Sequence, residues 1–98
     1  MEPVKSHKDL IVWQRSITLV KEIYKLTDRF PSREIYGLSA QMRRAAVSIP
    51  SNISEGRNRG TVKDFGHFLR IALGSAAELE TQLLISKDLL YCDGEMFE

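Results

Sequence analysis

One cysteine, Cys92, in 98 residues excludes an intramolecular disulfide and suits a reducing cytoplasm, where we place the protein. No apolar run approaches the ~20 residues of a membrane span. The first nine residues, Met-Glu-Pro-Val-Lys-Ser-His-Lys-Asp, contain no apolar segment of the secretory type. The sequon Asn52-Ile-Ser54 is therefore read as chance. Histidine is nearly as scarce as cysteine, with only His7 and His67. Asp64-Phe-Gly-His67 imitates the acidic-x-x-His element of di-iron bundles, but such a site needs two of these elements and two further carboxylates. No metal, cofactor or small-molecule substrate is expected, and no membrane role.

What is present is ordinary in amount and uneven in placement. The apolar fraction of 43% and charged fraction of 28% are those of a soluble globular domain. At this length it is a single one, near the lower limit for a self-sufficient core. The net charge of +1 conceals +2 over residues 1–35, +4 over 36–70 and −5 over 71–98. Such asymmetry marks either a nucleic-acid surface or a subunit whose basic and acidic ends meet in an oligomer.

Helical periodicity accounts for almost the whole chain, and no segment has strand periodicity. The first helix, over 6–30, opens at the capping box Ser6-His-Lys-Asp9 and closes at Phe30-Pro31. Leu10, Trp13, Ile17, Val20 and Tyr24 form one apolar stripe, with Val12, Leu19, Ile23, Leu26 and Phe30 beside it, a face wide enough for two neighbours. The second helix spans 36–56, continuing with a kink through Pro50 because Ile49 and Ile53 keep one face across it, and ending where Gly56 supplies a left-handed cap. The third spans 62–91 behind the capping box Thr61-Val-Lys-Asp64, about 45 Å of helix. Its heptad seam is Phe65, Leu69, Ala72, Ala76, Leu79, Leu83, Ser86 and Leu90. Glu95-Met-Phe-Glu98 reads as the first turn of a fourth helix that is otherwise missing from the chain. The fold class is all-α, an up-down four-helix bundle lacking most of its fourth helix. Trp13, Ile17, Val20, Ile49, Ile53, Leu69, Ala72, Ala76, Leu79 and Leu83 are the expected core.

The stretch from Gln41 to Gly60 carries the functional signal. One face is apolar; the other presents Arg43 and Arg44, and Arg57 and Arg59 follow in what reads as a glycine-bounded loop, with Lys63 and Arg70 nearby. Arginine's planar fork suits phosphate, so Arg57, Arg59, Lys63, Arg43 and Arg44 are the candidate nucleic-acid ligands. Arg43 or Arg44 reads instead as structural, paired with Glu55, Glu78 or Glu80, because adjacent helical residues lie about 100° apart and one of the two can point inward. Gly74-Ser75-Ala76-Ala77 reads as a small-residue patch against Ala45, Ala46 and Ser48. A catalytic reading rests only on Arg59 and His67, with seven residues between them across a helix start, and no catalysis is expected.

The elements Asp9-Leu-Ile-Val-Trp-Gln14, Phe30-Pro31, Glu34-Ile-Tyr-Gly-Leu38, Gln41-Met-Arg-Arg-Ala-Ala-Val-Ser-Ile-Pro-Ser-Asn-Ile-Ser-Glu-Gly56, Asp64-Phe65 and Gly74-Ser75…Glu78-Leu-Glu-Thr81 occur in the order found in a known family. The chain resembles the small bacterial four-helix-bundle proteins encoded by intervening sequences within large-subunit ribosomal RNA genes. That family is similar to the accessory proteins of diversity-generating retroelements, which form pentameric barrels and bind nucleic acid through basic surfaces. The resemblance implies an up-down bundle, a homopentamer and no established catalytic activity. The function expected is a non-enzymatic oligomer that binds RNA or DNA, structured RNA before the rest. The alternatives are a scaffold without a nucleic-acid role and, behind it, a nuclease.

Overall fold

The computed structural model describes residues 6–92, and all regular structure among them is helical. α1 spans Ile11–Thr27, α2 Leu38–Asn58 and α3 Val62–Asp88, within an envelope of 44 × 25 × 20 Å. α2 lies between the other two, which make little direct contact with each other. Arg43, early in α2, reaches Asp28 just beyond α1, and Gly56, late in α2, abuts Phe65 and Phe68 early in α3. Successive helices are therefore antiparallel, giving three corners of an up-down bundle with the α1–α3 side open. The expected turn at 95–98 lies outside the described residues.

α2 earns its central position by composition. Met42, Ala45, Ala46, Ile49, Pro50, Ile53 and Gly56 are buried at spacings of three and four, and four of them, Ala45, Ala46, Pro50 and Gly56, are small or compact enough for neighbouring backbones to approach closely. Ile23, Leu26 and Phe30 cover this row from one side, Ala72 and Leu79 from the other. The helix continues through Pro50, as Ile49 and Ile53 indicate. Proline's missing N–H is tolerated because the ring itself is buried in the packing.

Several boundaries differ from the sequence expectation for identifiable reasons. The Ser6 box forms, with Lys8 N–H donating to Ser6 Oγ at 3.2 Å and Ser6 N–H to Asp9 Oδ2 at 3.3 Å. It caps only a 3-10 turn, His7–Asp9, because Leu10 is extended and α1 starts at Ile11. α1 also ends at Thr27 rather than at residue 30. Gly56 is not a left-handed cap: it sits inside α2, and the left-handed glycine is Gly60, at φ 85°. Thr61 caps α3 as expected, accepting from Asp64 N–H at 3.1 Å.

The core is smaller than expected. Ile49, Ile53, Ala72 and Leu79 are buried, whereas Trp13, Ile17, Val20, Leu69, Ala76 and Leu83 are only half-buried, since among the described residues no helix covers the open side of α1 and α3. Leu90, the expected end of the seam, is 90% exposed, while Gln82, which is not on the seam, is buried. The small-residue patch divides: Ser75 Oγ meets Ser48 Oγ at 2.8 Å, but a Cβ on Gly74 would touch nothing within 4 Å.

Candidate nucleic-acid interface

The corner where α2 meets α3 depends on Gly56. A Cβ there would lie 2.7 Å from Phe68 Cβ and 3.3 Å from Phe65 Cα, so only glycine lets the helices close this far. Closure brings the Phe68 ring under the end of α2. The Arg59 guanidinium stacks over that ring at 5.2 Å from its centroid, and the His67 ring meets Phe68 edge-on at 5.2 Å. Arg59 Nε and Nη2 both donate to Glu55 Oε1, at 3.0 and 2.7 Å, one helical turn back.

Arg57 and Arg59 are thus not loop residues. Arg57 is half-buried in the last turn of α2 and Arg59 is the capping residue, where positive charge also complements the partial negative charge of a helix C-terminus. Lys63, in the first turn of α3, is exposed. Arg57, Arg59 and Lys63 therefore share one end of the bundle.

Arg43 and Arg44 go elsewhere, in different directions. Arg43 clamps α1 to α2: its Nε donates to Thr27 Oγ1 at 2.8 Å, its Nη2 to Asp28 Oδ1 at 2.8 Å, and its guanidinium lies 4.6 Å from the Tyr24 ring centroid. The structural reading holds for Arg43, but its acid is Asp28 on the α1 side and not Glu55, Glu78 or Glu80. Arg44, about 100° further round the helix, is exposed and lines an open polar groove between α2 and α3 with Gln41, Ser48, Ser75 and Glu78. Asn52 Nδ2 donates to Ser48 Oγ at 2.9 Å, and Glu78 accepts from Gln82 rather than from an arginine.

Periodicity does not single out Phe68 at this corner, nor Tyr91 at the opposite end of the bundle. Phe68 falls off the α3 seam, and only its position twelve residues after Gly56, across a tight corner, brings it beneath Arg59. At the far end of the bundle, Tyr91 donates to Glu34 Oε2 at 2.9 Å and packs on Phe30 at 5.3 Å. Glu34 Oε1 accepts from Leu38 N–H at 3.2 Å and so caps α2 in place of a side chain on Gly37. That backbone bond first, then the Tyr91 hydroxyl and the Arg33 charge, hold the Glu34 carboxyl below its ordinary value.

Among the described residues no three His, Cys, Asp or Glu side chains gather to hold a metal ion, and no helix is long and apolar enough to cross a membrane. A model of the 23S rRNA-intervening sequence protein family matches residues 8–98. A search of curated proteins returns no match.

Proposed function

The chain belongs to the 23S rRNA-intervening sequence protein family, and from that premise we propose that it is a non-enzymatic, self-assembling bundle that binds structured RNA through the α2–α3 corner. The observation that carries this reading is the gathering of Arg57, Arg59 and Lys63 at one end of the molecule, beside the half-buried Phe68 ring on which Arg59 stacks. Those three cations fall within seven residues of chain, which Glu55 and Asp64 flank in sequence with one carboxylate on each side. Phosphate contacts of this kind position a nucleic acid without reading its bases, and repeating the corner around a closed assembly multiplies a field that the +1 of one chain hides.

Self-assembly is supported by the apolar side chains left in solvent on the outer helices. Ile11 and Val12 on α1, and Leu73, Leu84 and Ile85 on α3, are all exposed. Five copies is the number the family resemblance favours. Light scattering at micromolar concentration should return a multiple of the 11.2 kDa chain mass, and the chain mass alone would refute assembly.

Fluorescence anisotropy with a labelled RNA hairpin tests the binding. Affinity should fall steeply with salt and depend little on sequence, because each phosphate contact releases condensed counterions. Arg57→Glu with Arg59→Glu should weaken binding and flatten the salt dependence while leaving the assembly intact. A confirmed oligomer that binds no hairpin at low salt would leave a scaffold role in its place.

A further inference from the structure

Arg59 is not presented to solvent as a free guanidinium. We propose that Glu55 is an internal competitor for the phosphate that Arg59 binds, so that RNA engages this corner by displacing a carboxylate already seated on it. The inference rests on the α2–α3 corner being the RNA-binding surface. Its own basis is geometric. Nε and Nη2 form the side edge of the guanidinium, the edge a phosphate takes with two parallel hydrogen bonds, and both are committed to one oxygen, Glu55 Oε1, at 3.0 and 2.7 Å. The Phe68 ring occupies one planar face at 5.2 Å, so the side edge is held in a defined direction. Gly56 is what brings that ring so close.

The carboxylate is replaceable. The two side chains are 54% and 50% exposed, and a solvated pair of this spacing is weakly held and screened by salt. A phosphate offers the same edge a stronger, two-point partner. Glu55 therefore keeps Arg59 in the binding orientation while subtracting from the net gain of every phosphate contact it makes.

A double-mutant cycle reads this directly. Hairpin affinity is measured by anisotropy at low salt for the full chain, Glu55→Gln, Arg59→Gln and the double variant, with Asp64→Asn as a control for the removal of one nearby negative charge. Glu55→Gln should bind about threefold tighter, the scale of an exposed pair released, and more than the control gains. The gain should disappear when Arg59 is glutamine. An equal gain in both backgrounds would reduce the effect to bulk charge and overturn the proposal. Weaker binding by Glu55→Gln would also overturn it, by making Glu55 a positioning residue only. If neither the full chain nor any variant binds the hairpin, the RNA-binding reading itself falls and takes this inference with it.

Discussion

Leu90 stands at φ 64°, in the left-handed region, and the next residue, Tyr91, is hydrogen-bonded to Glu34 at 2.9 Å. The two facts are coupled. Tyr91 N–H donates to Ser86 O at 2.8 Å and Leu90 N–H to Lys87 O at 2.9 Å, the paired bonds that end a helix when the first of the two donor residues turns left-handed. Glycine normally occupies that position. Here a leucine holds it, its own side chain in solvent, while Tyr91 is anchored beyond it against Phe30 and Glu34.

Leu90→Gly should therefore stabilise the protein. Relief of about 1–2 kcal/mol of left-handed strain, less the extra chain entropy that glycine loses on folding, leaves roughly 0.5–1 kcal/mol. Urea unfolding should show a higher midpoint with the same slope. A lower midpoint would mean that the exposed leucine is covered in the assembled protein.

The anchor itself should respond to pH. A carboxyl held below its ordinary value stabilises the fold above the ordinary glutamate range, and that contribution is lost as pH falls through the lower folded value. Acid unfolding of Glu34→Gln should lack this component, and its stability near neutral pH should drop, because the amide can no longer accept from Leu38 N–H and Tyr91 Oη as a charged group. Superimposable acid profiles for the two proteins would show that Glu34 contributes nothing.

How these features could be read from the sequence depends on whether their cause is local. The helices were legible because their apolar positions recur at three and four, and α2's passage through Pro50 was legible because Ile49 and Ile53 stay in phase across it. The end of α3 was not, because the signal that usually marks it, a glycine or asparagine, is absent and the turn is imposed by Tyr91's partners 57 and 58 residues away. Gly56 was misread for the converse reason. Glycine after a helical run ordinarily signals a cap, whereas here its missing Cβ serves a contact with Phe68 that no local pattern shows. The same limit applies at the candidate site. That one of two adjacent arginines would be structural followed from helical geometry, but choosing Asp28 as the partner of Arg43 required the packing of α1 on α2.

Gly56 and Gly74 provide opposite tests of glycine in a helix. Gly56→Ala forces a Cβ to within 2.7 Å of Phe68 Cβ and should cost about 1–3 kcal/mol through overpacking. Gly74→Ala meets nothing within 4 Å and should gain about 1 kcal/mol from helix propensity alone. Thermal unfolding of both variants separates them. Loss of the oligomer in Gly74→Ala, with the fold intact, would place Gly74 at a subunit contact.

Arg43 and Arg44 should behave as differently as their surroundings. Arg43→Ala removes the Thr27 and Asp28 hydrogen bonds and the Tyr24 stack, and should cost about 1–2 kcal/mol of stability. Arg44→Ala, on the exposed rim of the polar groove, should change stability by less than about 0.5 kcal/mol. Equal losses in the two variants, measured by chemical denaturation, would show that Arg44 has a structural partner in the assembly.

No catalysis is expected at the α2–α3 corner. Arg59 and His67, the pair on which a nuclease would rest, both border Phe68, so proximity alone does not dismiss the idea. Chemistry requires more than proximity. A general base must reach the proton it abstracts at about 2.6–3.2 Å, with a partner that fixes its tautomer. His67 is exposed and its ring packs roughly perpendicular to that of Phe68, while the side edge of Arg59 is occupied by Glu55. Labelled structured RNA incubated with the full chain should therefore stay intact, and His67→Ala should bind it as tightly as the unaltered protein does. Cleavage that disappears in His67→Ala while binding persists would make the Phe68 corner an active site and the non-enzymatic reading wrong.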